Sequence, residues 1–166
     1  MIRKVALEDA PQIMNIYNHY VDHTIFTFDT ERASLNEIQD KIRITMNIYP
    51  WIVYELDGEI MGYAYASEWK AKDGYKHSVE TTVYLKNGSF KNGLGTLLYQ
   101  ELINQLKELN FHALMGCITL PNDASIRLHE KLGFEKVGHF KEVGYKFDKW
   151  IDAGYWELRI NNQSCT

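Results

Sequence analysis

Two glycines one residue apart, in Ser-Phe-Lys-Asn-Gly-Leu-Gly-Thr-Leu-Leu-Tyr (residues 89–99), stand where a run of helix formers begins. Glycine accepts positive φ, and the first turn of a helix offers N–H groups that lack intrahelical partners. With the helix dipole, such a segment either cradles an anion such as a phosphate or is only a turn that starts a helix. Two nucleotide loops are excluded by spacing: no Gly-Lys-Ser/Thr follows four residues after a first glycine, and the third glycine of G-x-G-x-x-G is missing. Upstream, His77 to Leu85 alternates, with Val79, Thr81, Val83 and Leu85 on one face and Ser78, Glu80, Thr82 and Tyr84 on the other. Glu80 there is either a solvated side chain or a carboxylate able to act as a general base. Downstream, His129 titrates near neutral pH and can act as acid or base, or fix hydrogen bonds on a helix face. No cysteine lies beside a histidine in these segments, so neither offers an activated thiol nucleophile.

These residues need elements to hold them. Ile2 to Val5 reads as a strand, and Asp9 can cap a helix from near Pro11 with Ile13, Ile16, Tyr17 and Tyr20 on one face. Ser34 and Glu37 have capping-box spacing ahead of a second helix carrying Leu35, Ile38 and Ile42. Asp57-Gly58 joins Trp51–Leu56 to Glu59–Ser67 as a hairpin. The spacing of Leu94, Leu98, Leu102, Leu106 and Leu109 predicts a helix between the glycines and Asn110, and Ala113 to Ile118 a strand. Asn122 or Asp123 caps a short helix through Leu132, stopped by Gly133, and strands over 137–143 and 155–160 close the chain. The order β-α-α-β-β-β-α-β-α-β-β predicts a mixed sheet flanked by helices, in the α/β (α+β) class.

The 166 residues suffice for one domain with one substantial core. A net charge of −4 with scattered basic residues is no footprint of a nucleic-acid binder. Cys117 and Cys165 suggest neither a disulfide framework nor a metal site, which fits a reducing cytoplasm. No stretch reads as a signal peptide or a membrane span, so neither nucleic acid nor membrane is expected as a partner.

Val-Glu-Thr-Thr-Val-Tyr-Leu (79–85) followed by Lys-Asn-Gly-Leu-Gly-Thr (91–96), and later Pro-Asn-Asp-Ala-Ser-Ile-Arg-Leu-His-Glu-Lys-Leu-Gly-Phe (121–134), resemble the two cofactor motifs of the GNAT N-acetyltransferases in the family's order. The greater likeness is to the phosphinothricin and methionine sulfoximine acetyltransferase branch. It spans nearly the whole chain, including Thr27-Phe28, Tyr49-Pro50-Trp51, Trp69-Lys70-Ala71 and 150–156. Phe90 departs from the pattern, because the family's loop usually begins with Gln or Arg at that position.

The resemblance implies a single GNAT domain over residues 1–162 with a tail at 163–166, and a sheet of about seven mostly antiparallel strands flanked by about four helices. It implies acetyl-CoA as cosubstrate and no metal. The CoA pyrophosphate would lie on Lys91, Asn92, Gly93, Leu94, Gly95 and Thr96, and the pantetheine arm along Val83, Tyr84 and Leu85, paired like an added strand. A backbone N–H near Leu85 would meet the oxyanion. Ser125 is a further cofactor contact by resemblance, and Asn122 is such a contact or only a helix cap. Glu80 would deprotonate the α-amine of an amino-acid analogue such as phosphinothricin or methionine sulfoximine, directly or through water, and His129 would serve as acid, base or substrate contact. Phe28, Trp69 and Tyr75 would wall the substrate site and Lys70 would supply its cation, unless these aromatics are core and the lysine is solvated. A homodimer is implied as well. The alternatives are another small amine or a peptide N-terminus as acceptor, or a CoA-binding sensor without turnover.

A cradle built from main-chain donors makes one prediction. Gly93→Val weakens coenzyme A binding far more than Phe90→Ala in calorimetric titrations, and the reverse order would refute it.

Overall fold

The alternation along Trp51–Leu56 and Glu59–Glu68 sends neighbouring side chains into two different cores. Trp51, Val53, Tyr63 and Tyr65 face one, and Ile52, Ala64 and Ala66 face the other. A sheet buried on both faces follows. The computed structural model describes residues 1–89 and 93–160, so the expected boundary after residue 162 lies outside the described residues. The elements are β1 (Ile2–Lys4), α1 (Ala10–His23), α2 (Leu35–Thr45), β2 (Trp51–Leu56), β3 (Glu59–Glu68), β4 (Ser78–Leu85), α3 (Leu94–Glu108), β5 (Ala113–Leu120), α4 (Asp123–Lys131), β6 (Glu135–Lys146) and β7 (Lys149–Arg159).

The seven strands form one sheet in the order β1-β2-β3-β4-β5-β7-β6. Only β4 and β5 run parallel, joined by α3 as a crossover helix, and the other pairs are antiparallel. This is the mixed, mostly antiparallel sheet with four helices that the sequence predicts. Helices α1 and α2 cover one face through Ile13, Ile16, Tyr20, Ile38 and Ile42. Helix α3 covers the other through Leu98, Tyr99, Leu102 and Leu106, all fully buried, with Leu128 and Leu132 of the α4 segment packed beside it. Each such leucine contributes about 1.5–3 kcal/mol by leaving water.

Most local signals act where expected. Ser34 and Glu37 close the capping box of α2, and the Asp57-Gly58 turn takes positive φ at both residues. Asp9 differs: its carboxylate makes no cap bond to α1 but accepts the Ala6 N–H and a two-pronged contact from Arg3. The closing strands are also much longer than expected, 12 and 11 residues. Register shifts near Gly138 and between Phe140 and Gly144 break the alternation, and a turn at Phe147 and Asp148 takes positive φ without glycine. Neither end of this hairpin carries an ordinary sequence signal.

Candidate active site

Strands β4 and β5 pair from Ser78/Ala113 to Glu80/Met115 and then diverge. Beyond that point β4 continues along β3 to Leu85/Gly62, and β5 continues along β7 to Leu120/Asp152. The gap opens into a cavity of about 420 Å³, lined by β4 from Glu80 to Leu85, by residues 93–96, by Cys117 to Thr119, and by Asn122, Ser125 and His129 near α4. Lys86 donates its N–H to Met61 of β3, so by alternation Leu85 and Val83 turn their main-chain groups to the open edge. At Leu85 that edge is met by Tyr20 of α1, whose hydroxyl donates to the carbonyl at 2.7 Å and accepts the N–H at 3.3 Å. Burial pushes the Tyr20 phenol up to about 12, so it stays a neutral hydroxyl. The Leu85 N–H, expected near the oxyanion, is therefore engaged, and Val83 is the β4 residue left to meet an extended ligand.

At one end of the cavity the chain enters α3. Gly93 takes φ +71°, a left-handed conformation, with open space where a Cβ would point. Main-chain donors of the first turn border the cavity there. Asn122 accepts the Ser125 N–H at 3.1 Å, so it caps α4 while also lining the cavity. Thr119 places on the same wall a buried hydroxyl without a partner among the described residues. A long amide-bearing ligand with an anionic segment fits these groups: the helix start suits the anion, and Thr119 and Val83 suit the amides. Of the residues expected to bind it, Val83, Tyr84, Leu85, Gly93, Leu94, Gly95, Thr96, Asn122 and Ser125 all line the cavity. Lys91 and Asn92, with Phe90, lie outside the described residues.

Glu80 is half-buried where the strands part, and it accepts no hydrogen bond among the described residues. Burial raises its pKa, and the charge of Lys41 opposes that rise. Across the cavity His129 is 5% exposed, and both its ring nitrogens are engaged. Its Nδ1 lies 2.8 Å from the Ser125 carbonyl and so carries the proton, which leaves Nε2 to accept from the Tyr99 hydroxyl at 3.0 Å. Tyr99 in turn meets the Thr81 hydroxyl at 2.5 Å. Burial lowers the His129 pKa, so the ring is held neutral. Gly116 makes room for it, because a Cβ there would come within 2.4 Å of Nε2. Cys117, next along β5, also lines the cavity, and burial raises its thiol pKa. Nothing in its sequence context pointed to this position.

On the α1/α2 face, Phe28 lines the cavity together with Phe26 and Thr27. The loop is tied down by Lys146 at the end of β6, which donates to the Thr27 carbonyl at 3.0 Å, and by the Tyr17 hydroxyl, which bonds Thr27 and Asp29. Trp69, Lys70 and Tyr75 do not reach the cavity. They belong to the β3–β4 connection: Trp69 packs edge-on against Tyr155, Lys70 sits over the Trp69 ring, and Tyr75 is exposed.

Residues 2–154 match the family described as acetyltransferase (GNAT) domain. The chain belongs to this family and is an N-acetyltransferase. It is 37% identical to a phosphinothricin N-acetyltransferase of Streptomyces viridochromogenes, covering 94% of this chain and 85% of that one. It is 33% identical to an L-methionine sulfoximine/L-methionine sulfone acetyltransferase of Salmonella typhimurium, over 98% and 96% of the two chains. A phosphinothricin acetyltransferase from Sinorhizobium meliloti, solved in complex with acetyl-CoA, superposes with a TM-score of 0.95 at 28% identity, over all of this chain and 91% of that one.

The close approach at Gly116 predicts that Gly116→Ala displaces the His129 ring and costs about 1–3 kcal/mol in denaturant unfolding. The neutral His129 also makes stability depend on pH. Its folded-state pKa lies below the unfolded value of about 6.5, so the unfolded chain binds the extra proton, and this contribution is lost as pH falls below about 6.5. Melting temperatures should therefore fall more steeply on acidification in the wild type than in His129→Gln.

Proposed function

We propose that this N-acetyltransferase moves the acetyl group of acetyl-CoA to the α-amine of a small amino-acid analogue of the phosphinothricin or methionine sulfoximine type. The observation that carries the reading is the continuous cavity joining the α3 N-terminus, the open β4 edge and Glu80. In it, the first-turn N–H groups from Gly93 to Thr96 hold the pyrophosphate, and the Val83 main chain pairs with the pantetheine arm. The thioester then lies near Glu80. Acetyl-CoA supplies an activated acyl group, and the chain's residues supply the base and the fixed geometry.

Glu80 accepts the ammonium proton of the acceptor, directly or through one water, and the freed amine attacks the thioester carbonyl. Its raised pKa and lack of a hydrogen-bond partner suit a base poised to take a proton. Attack is direct, since among the described residues no histidine is bonded to Cys117 to activate it, both ring nitrogens of His129 being engaged elsewhere. His129, neutral with both nitrogens engaged, supports a positioning role for the α4 wall more than free proton transfer to the departing thiolate.

The reading extends to a cytoplasmic homodimer that detoxifies such analogues. The dimer is supported by the outer hairpin, where Val137, Phe140, Val143, Tyr145, Phe147 and Trp150 are each at least half exposed on and beside an edge strand. An apolar edge of this kind calls for a covering surface. Among the described residues no helix is long and apolar enough to cross a membrane.

Thiol release from acetyl-CoA, measured with phosphinothricin, methionine sulfoximine and a panel of amines, tests the activity; absence of acceptor-dependent release defeats it. Glu80→Gln lowers kcat/KM about a hundredfold to ten-thousandfold with coenzyme A affinity retained. The wild-type rate falls as acid protonates Glu80 through its raised pKa, and the variant lacks that limb. Its deficit shrinks in alkali, where the amine loses its proton unaided. A variant with the wild-type rate and profile would remove Glu80 from the mechanism.

A further inference from the structure

An amino-acid substrate brings a carboxylate on the same carbon as its reacting amine. Once the amine is set against Glu80, that carboxylate falls a few ångströms away and needs a cation. Lys70 does not reach the cavity. Lys146, at the far end of the loop, is 4% exposed and committed to the Thr27 carbonyl. Arg32 lies against Asp22 at 3.7 Å.

Lys41 of α2 is turned toward the sheet. Its Nζ donates to the Tyr65 hydroxyl at 2.8 Å and lies 4.8 Å from the Tyr65 ring centre and 5.9 Å from that of Tyr17. Tyr65 pairs with Thr82 across β3 and β4, and Glu80 pairs with Ser67, so Tyr65, Thr82 and Glu80 project from one face. The ammonium therefore sits over the same face as the base. Among the described residues Lys41 forms no ion pair: of the carboxylates around it, Asp29 accepts the Tyr17 hydroxyl, Glu37 closes the capping box with Ser34, Glu31 lines the same cavity, and Glu80 feels the ammonium charge without touching it. One N–H of the ammonium goes to Tyr65, which leaves two for an incoming anion. Lys41 is not among the residues lining the first cavity; it lines a second one of about 460 Å³, which shares Phe28 with the first and so adjoins it.

On the reading that an amino-acid analogue is the acceptor, we propose that Lys41 is its carboxylate anchor and makes the enzyme select α-amino acids over amines without a carboxylate. Anchored there, the carboxylate holds the amine at Glu80 over the tyrosine floor. The ammonium attracts the carboxylate as a point charge and is itself held in place by Tyr65, so the same contact recognises the acid and fixes where it sits.

The test compares methionine sulfoximine with its α-carboxamide, which keeps the amine and side chain and removes the negative charge. Wild type prefers the acid. Lys41→Met lowers kcat/KM for the acid about tenfold to a hundredfold, mainly through KM, and leaves the carboxamide unchanged, while Lys41→Arg retains the preference. Equal losses on both compounds would mean that Lys41 acts on Glu80 or on the fold, and no loss on either would mean it touches no substrate. Both outcomes overturn the assignment while leaving the acetyltransferase reading intact. If wild type acetylates neither compound but acetylates other amines, the amino-acid acceptor reading fails and the Lys41 assignment with it.

Discussion

Strands β4 and β5 share a ladder of three residue pairs and then part, and the rest of the site depends on that parting. Two parallel strands lose hydrogen bonds when they separate, so each must be held by its other neighbour. Here β3 pairs with β4 through to Leu85, and β7 pairs with β5 through to Leu120. Where they separate, the Thr81 hydroxyl shares its one proton between the Tyr99 oxygen at 2.5 Å and the Met115 carbonyl at 3.2 Å, and Tyr99 donates onward to His129. These buried groups are all satisfied, so the opening is a fixed feature of the fold. A ligand that pairs with the open β4 edge does what β5 does one turn of pleat earlier.

The charges around the opening are few, and burial sorts them. Tyr20 and Tyr99 are pushed toward their neutral forms by desolvation, and His129 is neutral for the same reason. Glu80 is the carboxylate lining the cavity, and Lys41 is the ammonium over the same face. In the proposed reaction this division separates roles cleanly: the neutral groups shape the walls and hold main-chain donors in place, while the two charged groups handle the zwitterionic acceptor. The N-terminus of α3 deals with anionic charge at the opposite end through backbone dipoles, which need no particular side chain.

The fold was largely legible because its signals are local. Alternation in 77–85, the capping box at Ser34 and Glu37, the Asp57-Gly58 turn and the leucine stripe of α3 each depend on a few neighbouring residues. The outer hairpin was read too short because bulges beside Gly138 and Gly144 interrupt the period, and its turn uses Phe147 and Asp148 where glycine would be expected. The residues of the two motifs that line the cavity were legible because motif order marks them. Tyr20, Lys41, Thr119 and Cys117 were not, since each owes its place to a contact from an element distant in sequence: Tyr20 to Leu85 across 65 residues, Lys41 to Tyr65 across 24. Lys70 and Tyr75 sit near the right strands in sequence, but the β3–β4 connection carries them away from the opening.

The central claim, that the open edge of β4 and the start of α3 together receive coenzyme A, is tested most directly by amide hydrogen exchange with and without the ligand. Slowed exchange at Val83 and across Leu94 to Thr96 on adding coenzyme A, with little change at Leu85 where Tyr20 already holds the N–H, is the result the structure predicts. Binding confirmed by calorimetry with unchanged exchange at those amides would contradict it.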